Sequence, residues 1–253
     1  MNNTAMTLPA ISLLIVATLL RIVLTLFLQS LSRSSFAEKR RVYKIQISSE
    51  QHRRERVWII GVILDSVIVA LLASAGVYSF TNSSLKGYMC MAAVHVFIVE
   101  LIYYWYHRLF HRPFFYHHHH IRHHLSTVTE PVTAMTFTLT ERFSYTVLFS
   151  VPAIVASYFG LLSYSEFIVY ILVFDVLNYI GHLNFEFFPR WFVETPLKWF
   201  VYTPSYHSQH HSRFVKNFAL FMPIYDLVFG TLEPETETVF HHALSGEGIK
   251  QLT

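Results

Sequence analysis

Apolar residues gather along this chain into five long runs, with most of the charged residues between them. The runs are Leu8 to Leu28, Val57 to Phe80, Tyr88 to Tyr106, Phe143 to Leu162 and Ser165 to Gly181. A helix needs about 20 residues to cross a bilayer, so each run is a candidate span. The first contains Arg21 past its midpoint, where the long side chain is expected to snorkel toward an interface. This run reads as an anchor rather than a cleaved signal peptide, because it is long and no Lys or Arg precedes it.

The segment between the first two runs is the most basic of the chain. Arg33, Lys39, Arg40, Arg41, Lys44, Arg53, Arg54 and Arg56 outnumber Glu38, Glu50 and Glu55 there, which places the segment in the cytosol by the positive-inside rule. The turn from Thr81 to Gly87 then joins spans two and three, and a tight turn near Gly160 joins spans four and five. The N-terminus is expected in the lumen, and the C-terminus and the ends of spans three and five in the cytosol. The fold class is an all-α integral membrane protein, with four to five transmembrane helices in hairpins and a cytosolic cap. Residues 1–56 form the anchor and basic segment, and residues 57–253 the hairpins with their cap.

Composition agrees with a membrane class. Of 253 residues, 53% are hydrophobic and only 14% charged, against roughly 25% charged in soluble domains. These values exclude disorder and coiled coils. The lone Cys90 excludes an intramolecular disulfide framework and a thiolate-built metal site. A net charge of +3 gives no case for nucleic acid. What stands out is 16 histidines, as many as Asp and Glu together.

Those histidines have ligand spacing. Span three runs into His107 and His111, an HxxxH pair whose imidazoles share one helix face. His120, His123 and His124 form an HxxHH triplet, span five ends at His182, and His207, His210 and His211 form a second HxxHH. His117, His118 and His119 read as incidental neighbours of the first triplet; His52, His95, His241 and His242 read as non-ligands, with His95 a possible supporting donor within span three. Eight or nine imidazoles exceed the four to six ligands usual for one ion and suit a pair of metals; an all-nitrogen set favours iron, zinc or copper.

A repeat reinforces this reading. Glu100 precedes His107 by seven residues, as Asp175 precedes His182, and two helical turns put each acid about 10 Å deeper on its histidine's stripe. Tyr104 and Asn178 lie between them. Four residues beyond His107 is His111, and four beyond His182 is Glu186. The span acids are expected to accept hydrogen bonds from ligand imidazoles or a bridging tyrosine, and Glu186 to be a ligand, a carboxylate orienting His182 or His210, or a partner of Arg190. A two-metal site at a membrane face suggests oxidative chemistry on a lipid chain.

The motifs Tyr103-Tyr104-x-x-His107-x3-His111, His120-x-x-His123-His124 and His207-x-x-His210-His211 resemble the fatty acid hydroxylase and sterol desaturase superfamily of membrane di-iron enzymes. Within it, Val128-Thr-Glu-Pro131, Asn178-x-x-Gly181-His182-x-Asn184-Phe185-Glu186, the run from Tyr202 to His211, Phe221-Met-Pro-Ile-Tyr-Asp226 and Phe229-Gly-Thr231 resemble the eceriferum-type plant wax proteins, very-long-chain aldehyde decarbonylases. The resemblance implies an endoplasmic-reticulum enzyme with two irons held by His107, His111, His120, His123, His124, His182, His207, His210 and His211. It implies dioxygen as co-substrate, a long-chain aliphatic substrate, and electrons from cytochrome b5 and its reductase. Deformylation of an aldehyde to an alkane is the leading expectation, with fatty acyl or sterol hydroxylation or desaturation as the alternative. The plant proteins continue into a soluble C-terminal domain, which leads to the expectation of a partner protein supplying it. A non-catalytic subunit would show degenerate histidine motifs, and these are intact. A histidine-rich metal transporter would place polar ligands mid-span, whereas most of these histidines cluster at one membrane face.

Overall fold

The computed structural model describes residues 8–251, which form helices joined by loops, with no β-strand among them. The principal helices are α1 (Leu8–Leu31), α2 (Ser49–Glu55), α3 (Trp58–Ser74), α4 (Leu85–Phe110), α5 (Ile121–His124), α6 (Leu139–Tyr158), α7 (Tyr164–Gly181) and α8 (Pro204–Arg213). Four helices are long and apolar enough to cross a membrane: Leu14–Leu31, Ser49–Ser74 (α2 running into α3), Leu85–Phe110 and Tyr164–Gly181. The remaining apolar run is the 20-residue α6, which carries Glu141 and Arg142 near its start and Pro152 inside.

The boundaries follow local chemistry. Span two ends at Ser74 rather than Phe80, and Gly76 at φ 76° turns the chain out of the helix. The hydroxyls of Ser84, Thr138 and Thr203 accept the free N–H groups of Gly87, Glu141 and Tyr206, which starts α4, α6 and α8. Gly160, at φ 65°, makes the turn between α6 and α7. Leu19, Val23, Leu26 and Phe27 of α1 and Ile63, Val67 and Leu71 of α3 remain exposed, the faces a bilayer would cover.

In the bundle α4 packs against α6, and α1 packs against α7 and α3. The first helix is fastened by charge. Arg21 donates from Nε to Asp175 at 2.5 Å, and from Nη2 to Asp175 at 3.2 Å and Asp65 at 3.3 Å. Asp65 also accepts from Arg142 at 2.6 Å. Arg21 therefore does not snorkel; it is 8% exposed and lies within the bundle. Two arginines and two aspartates balance one another in a place where a lone charge would cost several kcal/mol. Gly61 makes room for this arrangement, because a Cβ there would strike the Arg142 guanidinium that donates to Gly61 O at 3.0 Å.

The polar end closes around the loops. Val42 N–H donates to Asn184 O at 3.1 Å, Glu186 N–H to Arg40 O at 2.9 Å and Ile249 N–H to Val42 O at 2.8 Å. The basic segment thus lies against the chain that leaves His182, on the same face of the bundle.

The ion network gives a first prediction. Arg21→Leu leaves Asp175 buried without its cation and should destabilise the protein by roughly 3–5 kcal/mol. The double variant Arg21→Leu/Asp175→Leu keeps the Asp65–Arg142 pair and should recover most of that loss, measured by thermal unfolding in detergent.

Candidate metal centre

Four segments deliver imidazoles to one buried place. His107 and His111 sit one turn apart at the end of α4, where the helix persists through Phe110 and keeps both on one face. His120, His123 and His124 come from the π-helical turn Tyr116–His120 and α5. His182 follows the last residue of α7, and His207, His210 and His211 lie on α8. The structure brings all nine together in two groups, His107, His111, His120, His124 and His210 in one and His123, His182, His207 and His211 in the other, with the donor atoms of each group within 4.8 Å of one another. The groups adjoin: the rings of His124 and His211 stack at 4.6 Å, and His123 lies 4.5 Å from His211.

The second ring nitrogens fix the tautomers. Nδ1–H of His107 donates to Phe218 O at 2.8 Å, of His182 to Asn178 O at 2.7 Å, of His210 to Lys216 O at 2.8 Å and of His211 to Ser126 O at 3.0 Å. His120 donates to Glu141 Oε1 at 2.5 Å. With these protons committed, the Nε2 lone pairs point inward. His107 and His120 then face each other Nε2 to Nε2 at 3.0 Å, with no proton left to share. His210 meets His124 at 3.1 Å, His182 meets His207 at 3.1 Å, and Nε2 of His211 has no hydrogen-bond partner among the described residues. Converging lone pairs in a buried space are what a cation satisfies, so the residues fit a metal pair. Burial also keeps the rings neutral: it holds His111, His120, His123, His124, His207 and His211 well below the usual imidazole value, and His182 and His210 down to about 4.

His117 and His118 are exposed, and His119, His52, His95, His241 and His242 belong to neither group. His95 instead pairs with Tyr170 Oη at 2.8 Å.

The acids are placed differently from the expectation drawn from the repeat. Glu100 accepts from Phe221 N–H at 3.2 Å and Met222 N–H at 3.4 Å, not from a ligand imidazole. It braces the loop whose Phe218 carbonyl orients His107. Asp175 serves Arg21. Tyr104 Oη lies 2.7 Å from Thr231 Oγ1, and Asn178 contributes its backbone carbonyl to His182. Glu186 is in neither group, and its Oε1 accepts Ser205 N–H at 2.7 Å at the start of α8. Burial raises its carboxyl to about 7. The repeat fails here because α7 stops at Gly181, where the Tyr202 hydroxyl occupies the space a Cβ would need, so His182 and Glu186 do not share a helix face. Arg190 pairs with Glu194 instead.

Two residues escaped the sequence reading. Glu141, the carboxylate on His120, stands in Thr138-x-x-Glu141, a spacing that reads as an ordinary helix start. Asp226 takes the N–H groups of Phe218 and Ala219 at 2.8 and 2.7 Å and the hydroxyls of Tyr206 and Thr231, fixing the loop that carries the Phe218 carbonyl. It lies in the run Phe221 to Asp226, where nothing in the local spacing marks it as a site residue.

A cavity of about 110 Å³ lies within the bundle, separated from the histidines by the side chains of its wall. Tyr103 and Phe137 on its wall lie against His107 and His123, with ring centroids 5.0 and 4.9 Å apart.

Comparison with known proteins places these features in a family context. The fatty acid hydroxylase family model matches residues 92–231. The chain is 38% identical over 240 residues to the protein named CER1-like 1 of Arabidopsis thaliana, covering 93% of this chain and 38% of that one. It is 36% identical over 242 residues to the very-long-chain aldehyde decarbonylase GL1-4 of Oryza sativa subsp. indica, covering 94% of this chain and 39% of that one. The chain therefore spans about two fifths of the length of these relatives. No solved structure matches.

Two predictions follow from the centre's geometry. Glu141→Gln removes the carboxylate that orients His120 and should weaken metal retention roughly 10–100-fold, read by metal analysis after graded chelation. In the metal-free chain the histidines titrate near 6.5 when unfolded and near 4, for His182 and His210, when folded. The unfolded state then binds more protons in that interval, so stability should be full above pH 6.5 and fall as pH drops toward 4, read by denaturant midpoints.

Proposed function

The chain belongs to the fatty acid hydroxylase family, and on that premise we propose that it is a two-iron lipid oxidoreductase that deformylates a long-chain aldehyde to an alkane. The observation that carries this reading is the gathering of nine buried imidazoles into two adjoining groups of metal-ligand geometry. The five-histidine and four-histidine groups would each hold one iron, and bound iron supplies the redox chemistry that activates dioxygen. The protein's own work is to keep the imidazoles neutral and oriented, exclude bulk water, and bring the reactive end of the chain to the histidines. The name of the rice relative, an aldehyde decarbonylase, favours the aldehyde over a fatty acyl chain as substrate.

Electrons would come from cytochrome b5 and its reductase. Arg112 and Arg122 are exposed beside the histidine segment and carry no ion pair among the described residues, which offers an acidic carrier a docking charge. The basic segment shares a face with the histidines, so a cytosolic basic segment implies a cytosolic site, and we assign the protein to the endoplasmic-reticulum membrane.

The test is chemical. Membrane-reconstituted protein should hold close to two irons per chain and convert a long-chain aldehyde, given dioxygen and reduced cytochrome b5, to the alkane one carbon shorter. His124→Ala should insert normally and lose turnover. A hydroxylated or desaturated product would assign the chain to the alternative chemistry, and iron-loaded protein without any product would indicate a subunit role.

A further inference from the structure

The loop after α8 does not stay at the polar end. It meets α4 first at His107, which donates to Phe218 O at 2.8 Å, and then runs down the helix. Glu100 takes the N–H of Phe221 at 3.2 Å, and the His95 ring stacks on the Phe221 ring at 5.6 Å. The Tyr225 hydroxyl donates at 2.9 Å to Val96 O, within the π-helical turn His95–Val99 of α4. The chain then climbs back, with Phe229 4.9 Å from Trp105 and Thr231 Oγ1 2.7 Å from Tyr104 Oη. Asn217 N–H closes the neck on Thr231 O at 2.9 Å. From α7 the depth is the same, since the Phe221 ring lies 5.2 Å from that of Phe174, well inside the helix.

Length converts these contacts into depth. The helix Tyr164–Gly181 rises about 27 Å and needs all of it to cross roughly 30 Å of hydrocarbon. His182 and the adjoining histidine groups therefore stand at the hydrocarbon edge. Glu100 and Val96 lie about 10 and 16 Å deeper than His107 along α4, against roughly 15 Å for one leaflet. We propose that residues 218–231 form a re-entrant hairpin in the leaflet on the histidine side, with Leu227 and Val228 packed against lipid acyl chains. This requires α4 and α7 to cross the bilayer and is independent of the reaction. From Phe218 to Phe229 the only charged residue is Asp226, which is buried, and the run is too short to span. Backbone at such depth must find its acceptors within the protein. Glu100 takes the N–H groups of Phe221 and Met222, Asp226 those of Phe218 and Ala219, and Pro223 has none to satisfy. Leu227 and Val228 are 48% and 68% exposed and lie, in chain order, between the contacts at Val96 and Trp105. Over that same stretch of α4, Phe97, Ile98, Leu101 and Ile102 are exposed too. Hairpin and helix thus present one apolar surface, and the lipid that covers α4 covers Leu227 and Val228.

The test places single cysteines in the full chain carrying Cys90→Ala, reconstituted in phosphatidylcholine nanodiscs. Phe97→Cys is the mid-membrane reference, and Glu247→Cys, exposed at the polar end, the aqueous one. Leu227→Cys and Val228→Cys, labelled with bimane, should be quenched roughly twofold more by lipid bearing a nitroxide at mid-chain than at the headgroup. A water-soluble maleimide should react with both at least ~10-fold more slowly than with Glu247→Cys. If the cysteine variants fail to fold, the unmodified chain in nanodiscs doped with a mid-chain diazirine lipid should give adducts on the peptide holding Leu227 and Val228. Fast maleimide labelling, or stronger quenching from the headgroup, would overturn the proposal and leave the loop in the aqueous cap. Cysteines shielded from both maleimide and nitroxide lipid would overturn it in favour of a contact with a second copy. Diazirine adducts confined to the spans would overturn it as well. None of these readouts needs iron or turnover, so a failure of the deformylation reading leaves them unchanged.

Discussion

The constraint on which everything else depends is the direction of nine imidazole lone pairs. An imidazole left to itself presents either nitrogen, and nine of them packed together would settle into mutual hydrogen bonds. Here the protons of His107, His182, His210 and His211 are tied to backbone carbonyls and that of His120 to a carboxylate, so these rings have only Nε2 left to turn inward. Backbone carbonyls are well suited to this task, since they accept without carrying a formal charge into a buried site. The cost is that the loops holding those carbonyls must be rigid, and the rest of the polar end is organised to make them so.

That is where the buried acids act. Glu100 grips the N–H groups of Phe221 and Met222, and Asp226 those of Phe218 and Ala219, so the loop beneath His107 is clamped from two sides. Glu186 accepts Ser205 N–H at the first turn of the helix that carries three of the clustered histidines. Glu55 accepts the Ser126 hydroxyl at 2.7 Å, and the carbonyl of Ser126 holds His211. Of these acids and Glu141, only Glu141 accepts directly from one of the nine clustered imidazoles. The carboxylates thus orient the histidines mainly at one remove, through backbone, which keeps negative charge away from the all-nitrogen groups.

The spans and histidine motifs were legible because both are periodic: apolar runs of bilayer length, and imidazoles at helical spacing. The partition of the nine into five and four was not, since it depends on how α5 and α8 meet in space. Glu100 and Asp175 show the limit of a one-dimensional repeat. Each lies two turns from a histidine, and sharing a stripe does not give it a shared task. What decides a buried acid's task is the neighbouring element, a loop N–H for Glu100 and Arg21 of α1 for Asp175, and neither lies near in sequence. Glu141 was hidden for the opposite reason, since its local spacing already had an ordinary explanation.

The two halves of the chain are built alike but not equal, and the inequality has a physical origin. In the first half α4 stays helical beyond His107 and adds His111 to the same face. In the second, the helix stops at Gly181, against which the hydroxyl of Tyr202 lies, and the following chain is drawn off to pair with residues 40–42. The residue that would have been the counterpart of His111 becomes Glu186, which secures α8 instead. One half supplies a histidine to the cluster where the other supplies a brace. The four-histidine group is therefore short by one imidazole for a reason written into where α7 ends, and the helix that Glu186 secures feeds both groups, His210 to one and His207 and His211 to the other.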